Sequence, residues 1–171
     1  MPAAPVEPGV QVRDARPDEL AAIGDLRVAA YRADGFLSET SGYTDTLRTL
    51  GADGTGEILA AVDGSLIVGT VMLQAWPCAG EVVRGPGEAE IRALAVAAQA
   101  RRRGIGRALL AGVTQRAASR GVRNLVLLTM PQMQAAQRLY TEAGFGRLPD
   151  RDAVPAPGVI LLAYGLLLPG A

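Results

Sequence analysis

The chain has 171 residues, 49% of them hydrophobic, which predicts one compact domain over 1–171 with a sizeable core and a loose start at 1–9. All 17 basic residues are arginine, and without lysine or histidine a Ser-His-Asp triad, a P-loop lysine, Schiff-base chemistry and a histidine general base are excluded together. Seventeen acidic residues bring the formal net charge to zero, which argues against a general nucleic-acid binder, and the single Cys78 excludes an internal disulfide and, with no histidine present, a Cys/His zinc site.

In chain order, Val10 to Val12 open a strand, and Pro17-Asp18-Glu19 supply a helix start ahead of Leu20, Ile23, Leu26 and Ala30 at helical spacing. A second short helix is expected around Tyr43, Leu47 and Leu50, ending in the glycine-rich stretch Gly51 to Gly56. Glu57 to Val62 and Leu66 to Leu73 read as a hairpin turned at Asp63-Gly64. Pro77 to Gly87 reads as a loop, followed by a strand from Ala89 to Val96. From Gly104 to Arg120, Ile105, Leu109, Val113 and Ala117 recur at spacing four, which predicts an amphipathic helix with Gly121 capping its end. Leu125 to Leu128 suits a buried strand, Pro131 can start a helix through Ala135, Leu139 and Tyr140 to Gly144, and a last strand fits Val159 to Leu168. The order is β-α-α-β-β-β-α-β-α-β, with room for a short strand near Phe145, an α/β sandwich pattern. No apolar run approaches the roughly 20 residues of a membrane helix. The N-terminal MPAAPVEPGV lacks the basic and apolar regions of a signal peptide, so a soluble, cytoplasmic protein is expected.

The chemistry is concentrated where a strand passes into the Gly104 helix. Arg101-Arg102-Arg103-Gly104-Ile105-Gly106 stand at a helix N-terminus, where backbone N–H groups and the helix dipole favour an anion. Glycines at i and i+2 let the backbone approach it closely, and the arginines offer charge-assisted hydrogen bonds that shield a polyphosphate. The dinucleotide fingerprint would need a third glycine where Leu109 stands, and a P-loop needs the lysine this chain lacks.

Leu94-Ala95-Val96 followed by Arg101-x-x-Gly104-x-Gly106 and Arg107 resembles the acetyl-CoA motif of the GNAT superfamily of N-acetyltransferases. Met133-x-x-Ala136-x-x-Leu139-Tyr140-x-x-x-Gly144-Phe145 is similar to a second motif of that superfamily, with Met133 in place of its asparagine. The resemblance implies an acyl-CoA N-acyltransferase fold, an α/β (α+β) architecture with a mixed, mostly antiparallel central sheet flanked by helices. It implies that backbone amides from Arg101 through Arg102, Arg103, Gly104 and Ile105 to Gly106 hold the CoA pyrophosphate. The main chain of Leu94 and Val96 would pair with the pantetheine where this strand splays from its neighbour. The family's tyrosine near the CoA sulfur makes Tyr140 the general-acid candidate, against the alternative of a core aromatic.

Some members of the superfamily carry a glutamate base six residues before the valine, the place of Glu90, and an attacking ammonium must lose a proton before it can add to a thioester. The alternative for Glu90 is a solvated charge or a partner for Arg92, and Glu88 is the reserve base. Trp76 and Cys78 could line an acceptor pocket, as could Tyr31, Phe36 and Tyr43. The expected activity is direct acetyl transfer from acetyl-CoA to a primary amine, a small molecule or a peptide, with no metal, no nucleic acid and no membrane partner, and with a homodimer allowed. Alternatives are a longer acyl-CoA, admitted by a wider tunnel near Met72 and Leu94, and a catalytically silent CoA-sensing module; a nucleic-acid module on the arginine triplet is more distant.

Overall fold

The computed structural model describes residues 8–170, so most of the expected loose start at 1–9 lies outside the described residues. The chain divides into two compact units, Met1–Met72 with Ala93–Val113, and Leu73–Arg92 with Thr114–Ala171. Strands β3 (Leu66–Ala75) and β4 (Glu88–Val96) and helix α3 (Ile105–Ser119) each contribute to both.

In the first unit β1 (Val10–Asp14) pairs antiparallel with β2 (Glu57–Asp63), and the strand order is β1-β2-β3-β4. Gly64, at a φ of +62°, turns the β2–β3 hairpin, a conformation glycine adopts without steric cost. Pro17–Glu19 form a single 3-10 turn, and the Glu19 carboxylate accepts a hydrogen bond from the Arg16 amide at 2.8 Å before α1 (Leu20–Ala33) begins. Helix α2 (Tyr43–Thr49) sends Leu47 into a cluster with Val28 and Leu37. Ile23, Ile58, Ala60, Val62 and Met72 form a second cluster. The anticipated stripe of α3 is buried, and its Ile105 and Leu109 lie so close to β3 that a Cβ on Gly69 would come within 2.9 Å of Leu109 Cδ1. A methyl group at 69 would force Leu109 and Ile105 to shift within a tightly packed face, so a larger residue is disfavoured there.

In the second unit the order is β4-β5-β8-β6, with β5 (Asn124–Thr129), β6 (Gly146–Arg147) and β8 (Val159–Leu167). The β4–β5 pair is parallel, from Glu88–Asn124 to Ile91–Leu127, and β5–β8 is antiparallel. Gly121, at a φ of +76°, ends α3 as expected, its amide donating to Ala118 while the Val122 amide donates to Ala117. Val82, Val83, Val126 and Ala163 form the buried cluster of this unit. The mixed, mostly antiparallel sheet and the element order match expectation, including the short strand after Phe145.

Two details differ. A further strand, β7 (Ala153–Ala156), pairs with β8 through an irregular register that accommodates Pro155. Helix α4 (Gln134–Glu142) begins three residues beyond Pro131, because Gln137 Nε2 donates back to the Met130 and Pro131 carbonyls and holds them in a turn.

Candidate active site

In the first unit, β4 ends at Val96, a 3-10 turn spans Ala98–Ala100, and the chain enters α3 through Arg101 to Gly104. Arg102 at a φ of +63° and Gly104 at +75° are both left-handed, and the Ala108 amide donates to the Gly104 carbonyl as an early bond of the helix. The amides of Ile105 and Gly106 therefore precede the ladder and carry the positive end of the helix dipole. Successive N–H groups in such a turn form a concavity suited to an anion, so the donor set fits a pyrophosphate.

The arginine side chains depart from expectation. Arg101 pairs with Asp34, and its Nε and Nη2 each lie 3.4 Å from the Val96 carbonyl, tying the end of α1 to the end of β4. Arg103 pairs with Asp63 at 3.0 Å. Two of the three guanidinium groups thus have acidic partners within their own unit, while the amides of the turn remain available as anion donors. Arg102 and Arg107 are exposed. A carboxylate placed among those amides would repel a bound pyrophosphate. Gly106→Asp is expected to weaken CoA binding by at least about ten-fold, or about 1.4 kcal/mol, with the fold intact. Calorimetry with CoA checks this, and unchanged affinity would remove the cradle assignment.

Ala93 has a φ of +52°, rare for a residue with a side chain, and interrupts the extended course of β4. The β4–β5 register stops at Ile91–Leu127, just before this kink. The ladder thus ends ahead of Leu94, Ala95 and Val96, the residues expected to meet pantetheine.

In the second unit, the two candidate carboxylates on β4 have separate fates. Glu88 accepts from Arg151 through both oxygens at 2.8 Å, from Asn124 at 2.9 Å and from the Arg84 amide at 2.8 Å. The Arg151 contact above all holds its carboxyl down to about 2. A carboxylate so committed is a poor proton acceptor, which removes Glu88 as the reserve base.

Glu90 is only 5% exposed. Its Oε2 accepts from the Gly80 amide at 3.0 Å, and Arg92 Nε lies 3.7 Å from Oε1. Arg92 is itself turned toward Gln74, donating to its Oε1 at 3.0 Å. Burial pushes the Glu90 carboxyl above its ordinary value, against the opposing pull of Arg92 and of the Gly80 amide. Glu90 is therefore no solvated charge; its link to Arg92 is one side of a polar row that runs through the half-buried Arg92 to Gln74. A carboxyl whose charged form is disfavoured by burial accepts a proton more readily than a freely solvated one.

Tyr140 is buried, with its ring 6.0 Å from that of Phe145 and 6.2 Å from that of Tyr164. The core-aromatic alternative thus describes the ring, while the hydroxyl is the part with chemical potential. Met133 stands at the N-cap of α4 without capping it, its sulfur accepting from the Thr129 hydroxyl at 3.5 Å. Among the weaker candidates, Trp76, Cys78 and Tyr43 are exposed, and Tyr31 packs beside Val28 and Leu47. The sequence did not point to the Gly80 amide, or to the acids Asp34 and Asp63, which reach their partners across 67 and 40 residues; none of them carries a local pattern.

A family model described as the acetyltransferase (GNAT) family matches residues 20–145. Among solved structures, an acetyltransferase of the GNAT family from Staphylococcus aureus Mu50 superposes with a TM-score of 0.75 at 16% identity, covering 94% of this chain and 99% of that one. The ribosomal-protein-S18-alanine N-acetyltransferase from Escherichia coli gives a TM-score of 0.70 at 18% identity, with 95% and 96% covered. The yncA protein from Salmonella typhimurium, solved with its cofactor acetyl-CoA, gives 0.68 at 20%, with 95% of each chain covered. At these identities the structures speak for the fold. Comparison with curated proteins gives no significant match. With its motifs, its fold and a family model spanning Leu20 to Phe145 in agreement, the chain belongs to the GNAT acetyltransferase family, whose members transfer acyl groups from acetyl-CoA.

Proposed function

We propose that the protein acetylates a primary amine directly, with both substrates bound together and no acyl-enzyme formed. The observation that carries this reading is the buried Glu90 carboxylate, held by the Gly80 amide beside Arg92, in a chain that has no histidine to act as base. When bound, acetyl-CoA supplies an activated thioester carbonyl. The amides of the Arg101–Gly106 turn hold its pyrophosphate, the main chain of Leu94 and Val96 orients its pantetheine arm, and a backbone N–H near Val96 polarises the carbonyl oxygen. Glu90, six residues earlier on β4, takes a proton from the acceptor ammonium at its carboxylate, directly or through water. Tyr140 donates its Oη proton to the departing sulfur.

Tyr140→Phe separates the two roles of that ring, because it keeps the packing against Phe145 and Tyr164 and removes only the hydroxyl. Turnover is expected to fall by up to roughly 10²-fold, the low end for a positioned acid since a thiolate leaves readily, with acetyl-CoA affinity nearly intact. Single-turnover kinetics measure this. Full turnover with chemistry rate-limiting would return Tyr140 to the core.

A further inference from the structure

We propose that the loop between β3 and β4 is a positioning device for Glu90, with the Gly80 amide as its working group. This rests on the reading that Glu90 is the proton acceptor. The loop is built to hold still. The Cys78 and Ala79 amides both donate to the Ala75 carbonyl, at 3.0 and 3.1 Å, and the Val83 amide donates to the Gly80 carbonyl at 3.1 Å. Val82 and Val83 are buried against Val126 and Ala163. At its far end Arg151 donates to the Val82 carbonyl at 3.1 Å while gripping Glu88, and Arg84 reaches Asp150 at 3.1 Å. A backbone amide carried on a segment anchored at both ends has a fixed direction, and this one points at Glu90 Oε2.

Glycine at position 80 is part of the device. A Cβ there would lie 2.9 Å from Oε2, so a larger residue displaces the carboxylate and weakens its hydrogen bond to the amide. With Oε2 held, Oε1 is the oxygen left to meet a proton, under the influence of Arg92 on the same strand. Arg92 is the charged group facing Glu90; Gln74 on β3 bears on it through Arg92, and Val126, its partner on β5, is apolar. An N–H donor to the ionised form opposes the effect of burial and favours the charged carboxylate without filling its second oxygen. Gly80 is a positioning residue: it acts through Glu90.

The test reads Glu90 itself. Protein labelled at the glutamate carboxyl carbons is titrated by NMR as wild type, Gly80→Ala and Val83→Ala, the Glu90 signal being assigned by its loss in Glu90→Gln. Val83→Ala loosens the loop from a buried position without changing any charge, and it carries the test should Gly80→Ala fail to fold. The Glu90 titration is expected to move upward by about one pH unit in Gly80→Ala, the effect of losing one charge-assisted hydrogen bond, and in the same direction by less in Val83→Ala. A midpoint unmoved in a variant with near wild-type thermal unfolding overturns the proposal. Turnover of Glu90→Gln is a separate readout: if it stays at wild-type level while the titrations shift, the base assignment fails and the positioning geometry stands.

Discussion

Glu90→Gln is expected to lower the rate of acetyl transfer by roughly 10²–10⁴-fold near neutral pH, the usual contribution of a positioned general base. The substitution keeps the volume of a side chain that is 5% exposed and removes its charge and its capacity to accept a proton. The pH dependence has a definite sign. In the wild type the base must be ionised, and burial places its midpoint above the ordinary carboxylate value, so activity falls as pH drops through that raised midpoint. In the variant this limb disappears. Raising the pH then recovers part of the lost rate, because the amine gives up its proton to solvent before it binds. A pH–rate profile of both proteins measures the effect. An effect confined to the acceptor's KM would instead indicate that Glu90 binds an ammonium electrostatically.

The second large effect concerns stability in acid. Glu88 and Arg151 are each 15% exposed in their side chains and joined through both carboxylate oxygens. With the folded carboxyl held down to about 2 against an ordinary 4.5, the pair's contribution is fully present above the unfolded value and is lost as pH falls from there toward about 2. The difference corresponds to about 3 kcal/mol. Glu88→Gln keeps the shape and cannot ionise, so its stability is expected to lie below wild type by up to about that amount near neutral pH and to converge with it near pH 2. Urea unfolding of both proteins across this range checks it. Parallel curves with a constant offset would show that the ion pair is not the origin of the acid sensitivity. Glu19 and Asp152 are also held near 2 and steepen both curves equally, which is why the comparison is made between variants.

The elements that read clearly from the chain are those whose burial is periodic. Ile105, Leu109, Val113 and Ala117 announce α3 because one face of a helix recurs near every fourth residue, and all four are buried. Strand β7 carries no such mark. Its four residues include a proline, tolerated because its pairing is confined to an irregular ladder with β8. At the site, the turn from Arg101 to Gly106 stands out in the chain because arginines and paired glycines at a helix start state an anion site, whereas Glu90 is picked out only by the resemblance to the family. The arginine charges were legible too, but their use was not: Arg101 meets Asp34, 67 residues away, and Arg103 meets Asp63, 40 away. Likewise nothing in the spacing of two neighbouring glutamates separates Glu88, bound to Arg151, from Glu90, left to a single amide and a more distant guanidinium. That separation depends on which distant elements fold against each one.

Amine-dependent release of free thiol from acetyl-CoA is the most direct measure of the proposed activity. Purified protein is incubated with acetyl-CoA and a panel of primary amines that includes simple alkylamines, an aminoglycoside, free amino acids and short peptides with free N-termini. Thiol release and the mass of the acceptor are then followed together. Thiol appearing in step with acetylated amine, and suppressed in Glu90→Gln, is the predicted result. Tight binding of acetyl-CoA with no amine-dependent thiol release across the panel would contradict the account and leave a CoA-binding module in its place.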